Sequence, residues 1–258
     1  MSPELPLAHV AALALVALAA GTIDAIAGGG GLLTVPALLA AGLPSHLALG
    51  TNKGQAVFGS FTSMVRFARA GMIDPARARV GFPLGLLGSL AGAALVLQVP
   101  PATLKPVVLV LLAGAALFIG LRRGRPEARA AAGLARRHRG SVTAGLVALA
   151  IGAYDGFFGP GTGTFLIVAS VALLGDGLAE ASAGAKVVNF ASNLAAVALF
   201  ASRGLVVWQV ALPMAAGQLA GGWIGAHLAV RKGDGLVRRV AVAVSLALAA
   251  KLAWDLRG

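Results

Sequence analysis

Cysteine is absent from the 258-residue sequence, and acidic residues are few: nine, against 21 lysines and arginines. Without cysteine the chain can form neither a disulfide framework nor a thiolate metal site. Its four histidines are scattered without the spacing of metal ligands, and no nucleophile stands beside a candidate base. These absences argue against an enzyme and predict neither a bound metal nor a cofactor.

Hydropathy places the protein in a membrane. Hydrophobic residues make up 58% of the chain and charged residues 12%, and the mean hydropathy is +0.88. A water-soluble domain of this composition could not cover itself with polar surface. The net charge of +12 lies mostly in short loops between apolar segments, which is the positive-inside pattern and does not indicate nucleic acid. We therefore predict an all-α integral membrane protein.

Apolar stretches long enough to span a bilayer recur along the chain. Six are uninterrupted, at residues 46–68, 80–97, 104–121, 183–201, 207–230 and 236–254. Two longer stretches, 7–41 and 141–174, are broken by glycine-rich turns at 28–31 and 159–163. We interpret these two as helical hairpins, re-entrant or with one short arm, which gives about 8 to 10 membrane segments in all.

The two halves of the chain resemble each other. Near the start, "GTIDAIAGGGG" aligns with "GAYDGFFGPGT" in the second half, which pairs Asp24 with Asp155. Further on, "KGQAVFGSF" aligns with "KVVNFASNL", which pairs Lys53 with Lys186. We predict an internal duplication of roughly 120 residues. Its parts are a first repeat at 1–121, a basic linker with seven arginines at 122–140 and a second repeat at 141–258.

Basic residues are concentrated in different loops in the two repeats. Four arginines surround the loop after the Lys53 helix, whereas the equivalent loop of the second repeat has only Arg203. In the following loop the first repeat has only Lys105, and the second has four basic residues. Because basic loops stay in the cytoplasm, the same loop lies inside in one repeat and outside in the other. The predicted fold is therefore two inverted repeats, each a glycine-broken hairpin plus three transmembrane helices, with a cytoplasmic linker and both termini periplasmic.

The two glycine turns predict a site for a small anion. Irregular backbone at membrane depth is tolerated where it is buried in protein or lines a wet cavity. Hairpins entering from opposite faces bring their tips together near the bilayer centre, the usual position of the site in transporters with inverted repeats. Glycine lets bare amides approach a ligand closely, and the helix after each tip directs its positive end there.

The same segments resemble a known family. "GTIDAIAGGGGLLTVPALLAAGLPSHLALGTNK", "GAYDGFFGPGTGTFL" and "AKVVNFASNLAA" are similar to the TauE/SafE sulfite exporter family of bacterial membrane permeases. The similarity covers nearly the whole chain apart from the arginine-rich linker. It implies a protein of the cytoplasmic membrane that transports sulfite, sulfoacetate or a related sulfur-containing anion, usually outward. It does not separate sulfite from other oxyanions.

Two lysines are predicted to lie deep in the membrane. Lys53 is eight residues beyond Ser45, where a helix begins, and is therefore about 12 Å inward, in a hydrocarbon layer whose half-thickness is about 15 Å. Lys186, its equivalent, reaches a similar depth from the opposite face. Each buried ammonium costs about 2.5 to 3.5 kcal/mol on insertion scales. The lysines either pair with Asp24 or Asp155 in permanent ion pairs or act directly on the substrate.

Polar residues near the turns complete the candidate site. Asn189 and Asn193 share a helical face with Lys186, and Asn52 and Gln55 lie beside Lys53. These amides either bind substrate or join helices. Asp24 and Asp155 either neutralise the lysines and cap loose amides or carry a coupling proton or cation. The candidate substrate-binding residues are Gly28, Gly29, Gly30, Gly31, Asn52, Lys53, Gln55, Gly159, Gly161, Thr162, Gly163, Lys186, Asn189 and Asn193.

Two rows of glycine predict close helix packing. They are Gly81, Gly85, Gly88 and Gly92 in the first repeat and Gly217, Gly221 and Gly225 in the second. Gln218 interrupts the second row and is a candidate to face the cavity.

Three classes of function can be compared with the sequence: a secondary transporter, a channel and a membrane enzyme. The prediction is a secondary transporter that exports a small sulfur-containing anion by alternating access, with that anion and the lipid bilayer as its partners. A passive anion channel or an importer of a related oxyanion is the alternative. A membrane enzyme is disfavoured because the chain offers neither a nucleophile with its base nor a metal cluster.

Overall fold

The computed structural model describes residues 6–121 and 136–255, and every regular element within them is a helix. This agrees with the all-α prediction. The helices are α1 (Leu7–Ala27), α2 (Gly31–Ala40), α3 (Ser45–Arg69), α4 (Pro75–Val96), α5 (Pro101–Leu121), α6 (Arg136–Phe157), α7 (Thr162–Ala169), α8 (Leu178–Ser202) and α9 (Trp208–Asp255). A π-helical turn, Ser170–Leu174, continues α7. Most of the predicted linker lies outside the described residues, and residues 136–140 begin α6.

Glycine breaks both hairpins and bends α9. Gly28 has φ 77° and Gly29 has φ 90° in the first hairpin, and Gly159 and Gly161 have φ 98° and 88° in the second. These are left-handed conformations that side chains disfavour, so glycine at these positions breaks each hairpin into a long and a short arm. Gly233, with φ 59° and ψ −154°, divides α9 into two arms. Those arms coincide with the two helices predicted at 207–230 and 236–254.

The halves contain the same succession of elements and pack on each other reciprocally. α1 packs on α9 and α3, and the corresponding α6 packs on α4 and α8. α3 also packs on α9, as α8 packs on α4. The two 25-residue helices α3 and α8 contact each other directly. Each half therefore supplies one central helix and covers the central helix of the other.

Glycines of the two rows lie at close helix contacts, as predicted. On α4, a Cβ added to Gly92 would lie 1.9 Å from the carbonyl oxygen of Ala153 on α6. On α9, a Cβ added to Gly221 would lie 2.1 Å from the carbonyl oxygen of Leu18 on α1. Real Cβ atoms do not approach so closely, so these glycines let backbones touch.

The outer surface is apolar. Leu15 and Val110 are each 70% exposed, and Leu146 is 62% exposed. Among the described residues, four helices are long and apolar enough to cross a membrane: Leu7–Ala27, Pro75–Val96, Gly140–Phe157 and Leu178–Ser202. α3 carries polar residues at its buried positions, including Asn52, Lys53 and Gln55. Its composition is therefore that of a helix inside the protein, and lipid meets the helices around it.

Candidate functional site

The two hairpin tips touch through glycine. A Cβ on Gly28 would lie 2.2 Å from the backbone nitrogen of Thr164 and 2.3 Å from the carbonyl carbon of Gly163. The hydroxyl of Thr164 donates a hydrogen bond of 3.1 Å to the carbonyl oxygen of Ala27. A Cβ on Gly31 would lie 3.0 Å from the Cα of Pro160. The structure thus brings the two broken segments into direct backbone contact.

Lys53 forms an ion pair with Asp155 of the other half. Its Nζ lies 2.9 Å from Asp155 Oδ1, and the two side chains are 2% and 5% exposed. The same carboxylate oxygen accepts a hydrogen bond of 2.8 Å from the hydroxyl of Thr162. The other oxygen accepts one from the hydroxyl of Ser192 on α8. Both oxygens of Asp155 therefore have donors, as a buried carboxylate requires.

Lys186 forms the reciprocal ion pair with Asp24. Its Nζ lies 2.7 Å from Asp24 Oδ2 and 2.5 Å from the backbone oxygen of the same residue. Asp24 Oδ1 accepts a hydrogen bond of 3.2 Å from the amide of Gly30. Lys186 is fully buried, whereas the Asp24 side chain is 25% exposed. Lys186 therefore fixes both the end of α1 and the carboxylate that stands before the first tip.

The ion pairs decide between the pairings that the sequence left open. Lys53 takes Asp155, one of its two candidate partners. Lys186 forms its ion pair with Asp24, so Asp155 is not the carboxylate that neutralises Lys186. Each half supplies one lysine and one aspartate, and each pair joins the two halves. The sequence could not specify this because the partners are distant along the chain and both aspartates lie beside a tip.

A cavity opens where the tips, α3 and α8 meet. The volume that the centre of a water molecule can occupy within it is about 40 Å³. By that measure one water requires about 10 to 15 Å³. The cavity therefore holds about three waters or one small ion. Its lining residues are Asp24, Gly30, Gly31, Thr34, Asn52, Lys53, Gln55, Ala56, Asp155, Gly159, Gly161, Thr162, Gly163, Asn189, Asn193 and Gln218.

Three of the predicted site residues lie outside this lining. Gly28 and Gly29 form the first turn, and Gly28 packs against the second tip. Lys186 contacts Asp24 and has no exposed side-chain surface. Their places in the fold are those of residues that shape and hold the site, and the other eleven candidate binding residues line the cavity together with both aspartates.

A network of amides and hydroxyls forms the wall contributed by the first half. Asn52 Oδ1 accepts hydrogen bonds of 2.6 Å from the Thr34 hydroxyl and 2.9 Å from Gln55 Nε2. Sequence reasoning missed Thr34, although it is a lone polar residue in the apolar short arm after the glycines. It also missed Ser192, which lies between the two asparagines of α8. Gln218, singled out by its place in a glycine row, does line the cavity.

Two helices begin at the cavity with amides free to bind. α2 starts at Gly31, and α7 starts at Thr162. Among the described residues, the amides of Gly31 and Gly163 have no backbone acceptor. Both glycines line the cavity, and helix N-termini carry partial positive charge. With the Lys53 ammonium nearby, the site presents donors suited to an anion.

The described residues contain no group of three or more histidine, cysteine, aspartate or glutamate side chains that could hold a metal ion.

Comparisons with known proteins agree on one family. The family model described as Sulfite exporter TauE/SafE matches residues 13–252. The probable membrane transporter protein ORF9 of a Sinorhizobium species is 40% identical over 249 residues, covering 95% of this chain and 93% of that protein. A probable membrane transporter protein of Haemophilus influenzae is 39% identical over 250 residues, covering 95% of each chain. The probable membrane transporter protein YfcA of Escherichia coli K12 is 38% identical over 248 residues, covering 95% of this chain and 90% of that protein. No solved structure matches the chain.

Proposed function

Because the chain belongs to the sulfite exporter TauE/SafE family, we propose that it is a secondary transporter that exports a small sulfur-containing anion across the cytoplasmic membrane. Its relatives are named as probable membrane transporters. In this proposal the substrate is sulfite, sulfoacetate or a related organosulfonate. The cavity between the hairpin tips is the binding site in this proposal.

The observation that carries the proposal is the position of Lys53. Lys53 is 1% exposed as a residue and lines the cavity. Its ammonium has three N–H donors, of which Asp155 accepts one. The start of α2 at Gly31 and the start of α7 near Gly163 meet the same space. A charge-assisted hydrogen bond to an oxyanion contributes roughly 1.5 to 3 kcal/mol. Two or three such bonds, offset by desolvation and ordering costs, suffice for a transporter's substrate affinity.

Alternating access is supported by the relation between the halves. The packing of α1 on α9 repeats in that of α6 on α4, and each lysine pairs with the aspartate of the other half. Two similar halves around one central site can rock relative to each other and expose that site to either face. The swapped basic loops support this proposal, because they predict inverted repeats with both termini periplasmic and the linker cytoplasmic.

Uptake into inside-out vesicles tests substrate and direction together. Vesicles with and without the protein receive sulfite, sulfoacetate, thiosulfate, sulfate or taurine, and we expect saturable uptake of a sulfur-containing anion with counterflow. Lys53→Gln combined with Asp155→Asn, which removes the pair without leaving a lone charge, should weaken uptake. Lys105→Gln removes an exposed lysine and should leave uptake unchanged.

The other outcomes would identify a channel, an importer or a different class of substrate. Uptake that rises linearly with concentration and shows no counterflow would identify a passive channel. Uptake confined to right-side-out vesicles would identify an importer. If none of the five anions is carried above the level of protein-free vesicles, the proposed substrate class is wrong.

A further inference from the structure

We propose that the transported anion carries its own hydrogen-bond donor, and that the side-chain oxygens of Gln55 and Asn189 select for this donor. The inference rests on the proposed function and narrows its substrate class. The matching ligands are singly charged sulfur acids with a hydroxyl or amine hydrogen: hydrogensulfite in place of the sulfite dianion, or a sulfonate bearing a hydroxyl or amino group. A sulfonate without such a hydrogen fits less well.

Gln55 supplies the first acceptor. Its side chain is fully buried, and its Nε2 donates to Asn52 Oδ1 at 2.9 Å. The same Asn52 oxygen also accepts a hydrogen bond from the Thr34 hydroxyl. Because that atom is an acceptor, Gln55 turns its amide nitrogen toward Asn52 and its amide oxygen away from Asn52. Gln55 Oε1 has no hydrogen-bond partner among the described residues. The residue lines the cavity, so a ligand can supply the missing donor.

Asn189 supplies the second acceptor from the opposite half. It is 4% exposed and lines the cavity on α8. Its Nδ2 lies toward the second tip, 3.2 Å from the position a Cβ on Gly163 would take. Its Oδ1, like Gln55 Oε1, is buried without a partner in the part of the chain that the structure describes. Buried polar atoms are nearly always satisfied in native proteins, and one left unpaired in a binding site points to a group that arrives with the ligand.

The charges of the site favour a singly charged ligand. Lys53 and Asp155 neutralise each other, as do Lys186 and Asp24. The cavity therefore offers oriented donors without an uncompensated positive charge, and a dianion would bring two buried charges that nothing balances. A protonated anion has one charge fewer and brings a donor. Donors at Lys53 and the helix starts bind its oxygens, while the two amide oxygens bind its hydrogen.

An isosteric pair of competitors tests this selection. Isethionate and 1-propanesulfonate share the sulfonate and the chain length and differ by a hydroxyl in place of a methyl. Full-length protein in proteoliposomes takes up radiolabelled sulfite at one fixed pH, and each compound is titrated as an inhibitor. One additional hydrogen bond corresponds to about a tenfold change in affinity. Isethionate should therefore reach half-inhibition at about one-tenth the concentration required for 1-propanesulfonate.

Variants assign the selection to the amide oxygens. Asn189→Leu removes one of the two acceptors and should bring the ratio of the two inhibitory concentrations closer to one. Asn189→Asp keeps an acceptor and should preserve the ratio while weakening both compounds. Gln98→Leu removes an exposed amide at the end of α4 and should change neither value. Gln55→Met serves as the acceptor-removing variant if Asn189→Leu does not fold.

The results distinguish failure of the inference from failure of the transporter proposal. Saturable sulfite uptake with equal inhibition by both compounds, or with no inhibition by isethionate, overturns the inference and leaves the transporter proposal standing. A ratio unchanged in Asn189→Leu and Gln55→Met also overturns it. Absence of sulfite uptake by the wild-type protein overturns the proposed sulfite transport and the inference that rests on it.

Discussion

Lys186 Nζ lies 2.7 Å from a carboxylate oxygen of Asp24, although 162 residues separate them along the chain. Lys53 makes the equivalent contact with Asp155 at 2.9 Å. Each half therefore neutralises the buried lysine of the other. Both aspartates line the cavity between the hairpin tips.

The Lys186 pair predicts a stability effect that a second substitution reverses. Lys186→Gln leaves the Asp24 carboxylate without its partner, which should cost about 3 kcal/mol, the low end for buried pairs because Asp24 is partly exposed. Adding Asp24→Asn removes the stranded charge and should restore most of the loss. The thermal midpoint of the purified protein in detergent, followed by tryptophan fluorescence, measures both changes. Equal midpoints for the single and double variants would show that the pair contributes nothing by its charge.

The contact between the tips predicts that Gly28 tolerates no side chain. Gly28→Ala would place a Cβ 2.2 Å from the Thr164 nitrogen and force the hairpins apart, so we expect loss of substrate uptake. Gly42→Ala is the matched control, because Gly42 has a similar positive φ of 89° with nothing within 4 Å of its Cβ position. It carries the backbone strain, about 1 kcal/mol, without the clash. Similar uptake by both variants would mean that the tips need not touch.

The glycine rows predict opposite effects for two identical substitutions. Gly92→Ala forces a methyl group against the Ala153 backbone and should destabilise the protein by about 1 to 3 kcal/mol. Gly184→Ala on α8 meets no atom within 4 Å and should stabilise its helix by roughly 0.5 to 1 kcal/mol. Unfolding midpoints of the two variants should therefore lie on opposite sides of the wild-type value. Two midpoints above the wild-type value would contradict the close approach of α4 to α6.

The proposed inversion predicts opposite labelling of two equivalent positions. Arg69 ends α3 and Ser202 ends α8, and both are exposed. Single cysteines introduced there are easily read because the chain has none of its own. In intact cells a membrane-impermeant maleimide should label Ser202→Cys directly, and Arg69→Cys only after permeabilisation. Labelling of both from the same face would refute inverted repeats.

Helix positions and the two hairpins could be predicted from sequence because they depend on local chemistry. Runs of apolar residues fix the lengths of helices in lipid, and a glycine cluster within such a run has few interpretations other than a break. Packing of the glycine rows follows from the same reasoning, since residues without side chains at helical spacing are useful where backbones meet.

The details of the site depend on which segments meet in space. Lys186 and Asp155 lie closer along the chain than Lys186 and Asp24, yet the structure pairs the latter two. Thr34 is a lone polar residue in an apolar arm and Ser192 lies between two asparagines, but their roles appear only when Asn52 and Asp155 are seen beside them. The unpaired oxygens of Gln55 and Asn189 are likewise features of the assembled network.

The pairing of each buried lysine with an aspartate of the other half also matters for biosynthesis. Asp24 leaves the ribosome 162 residues before Lys186 does, so the first helices enter the membrane while the group that will neutralise this aspartate has yet to be translated. Until α8 arrives, the nascent chain is an incomplete assembly that membrane-bound proteases and chaperones can recognise. A pause in translation between the halves would prolong that exposure.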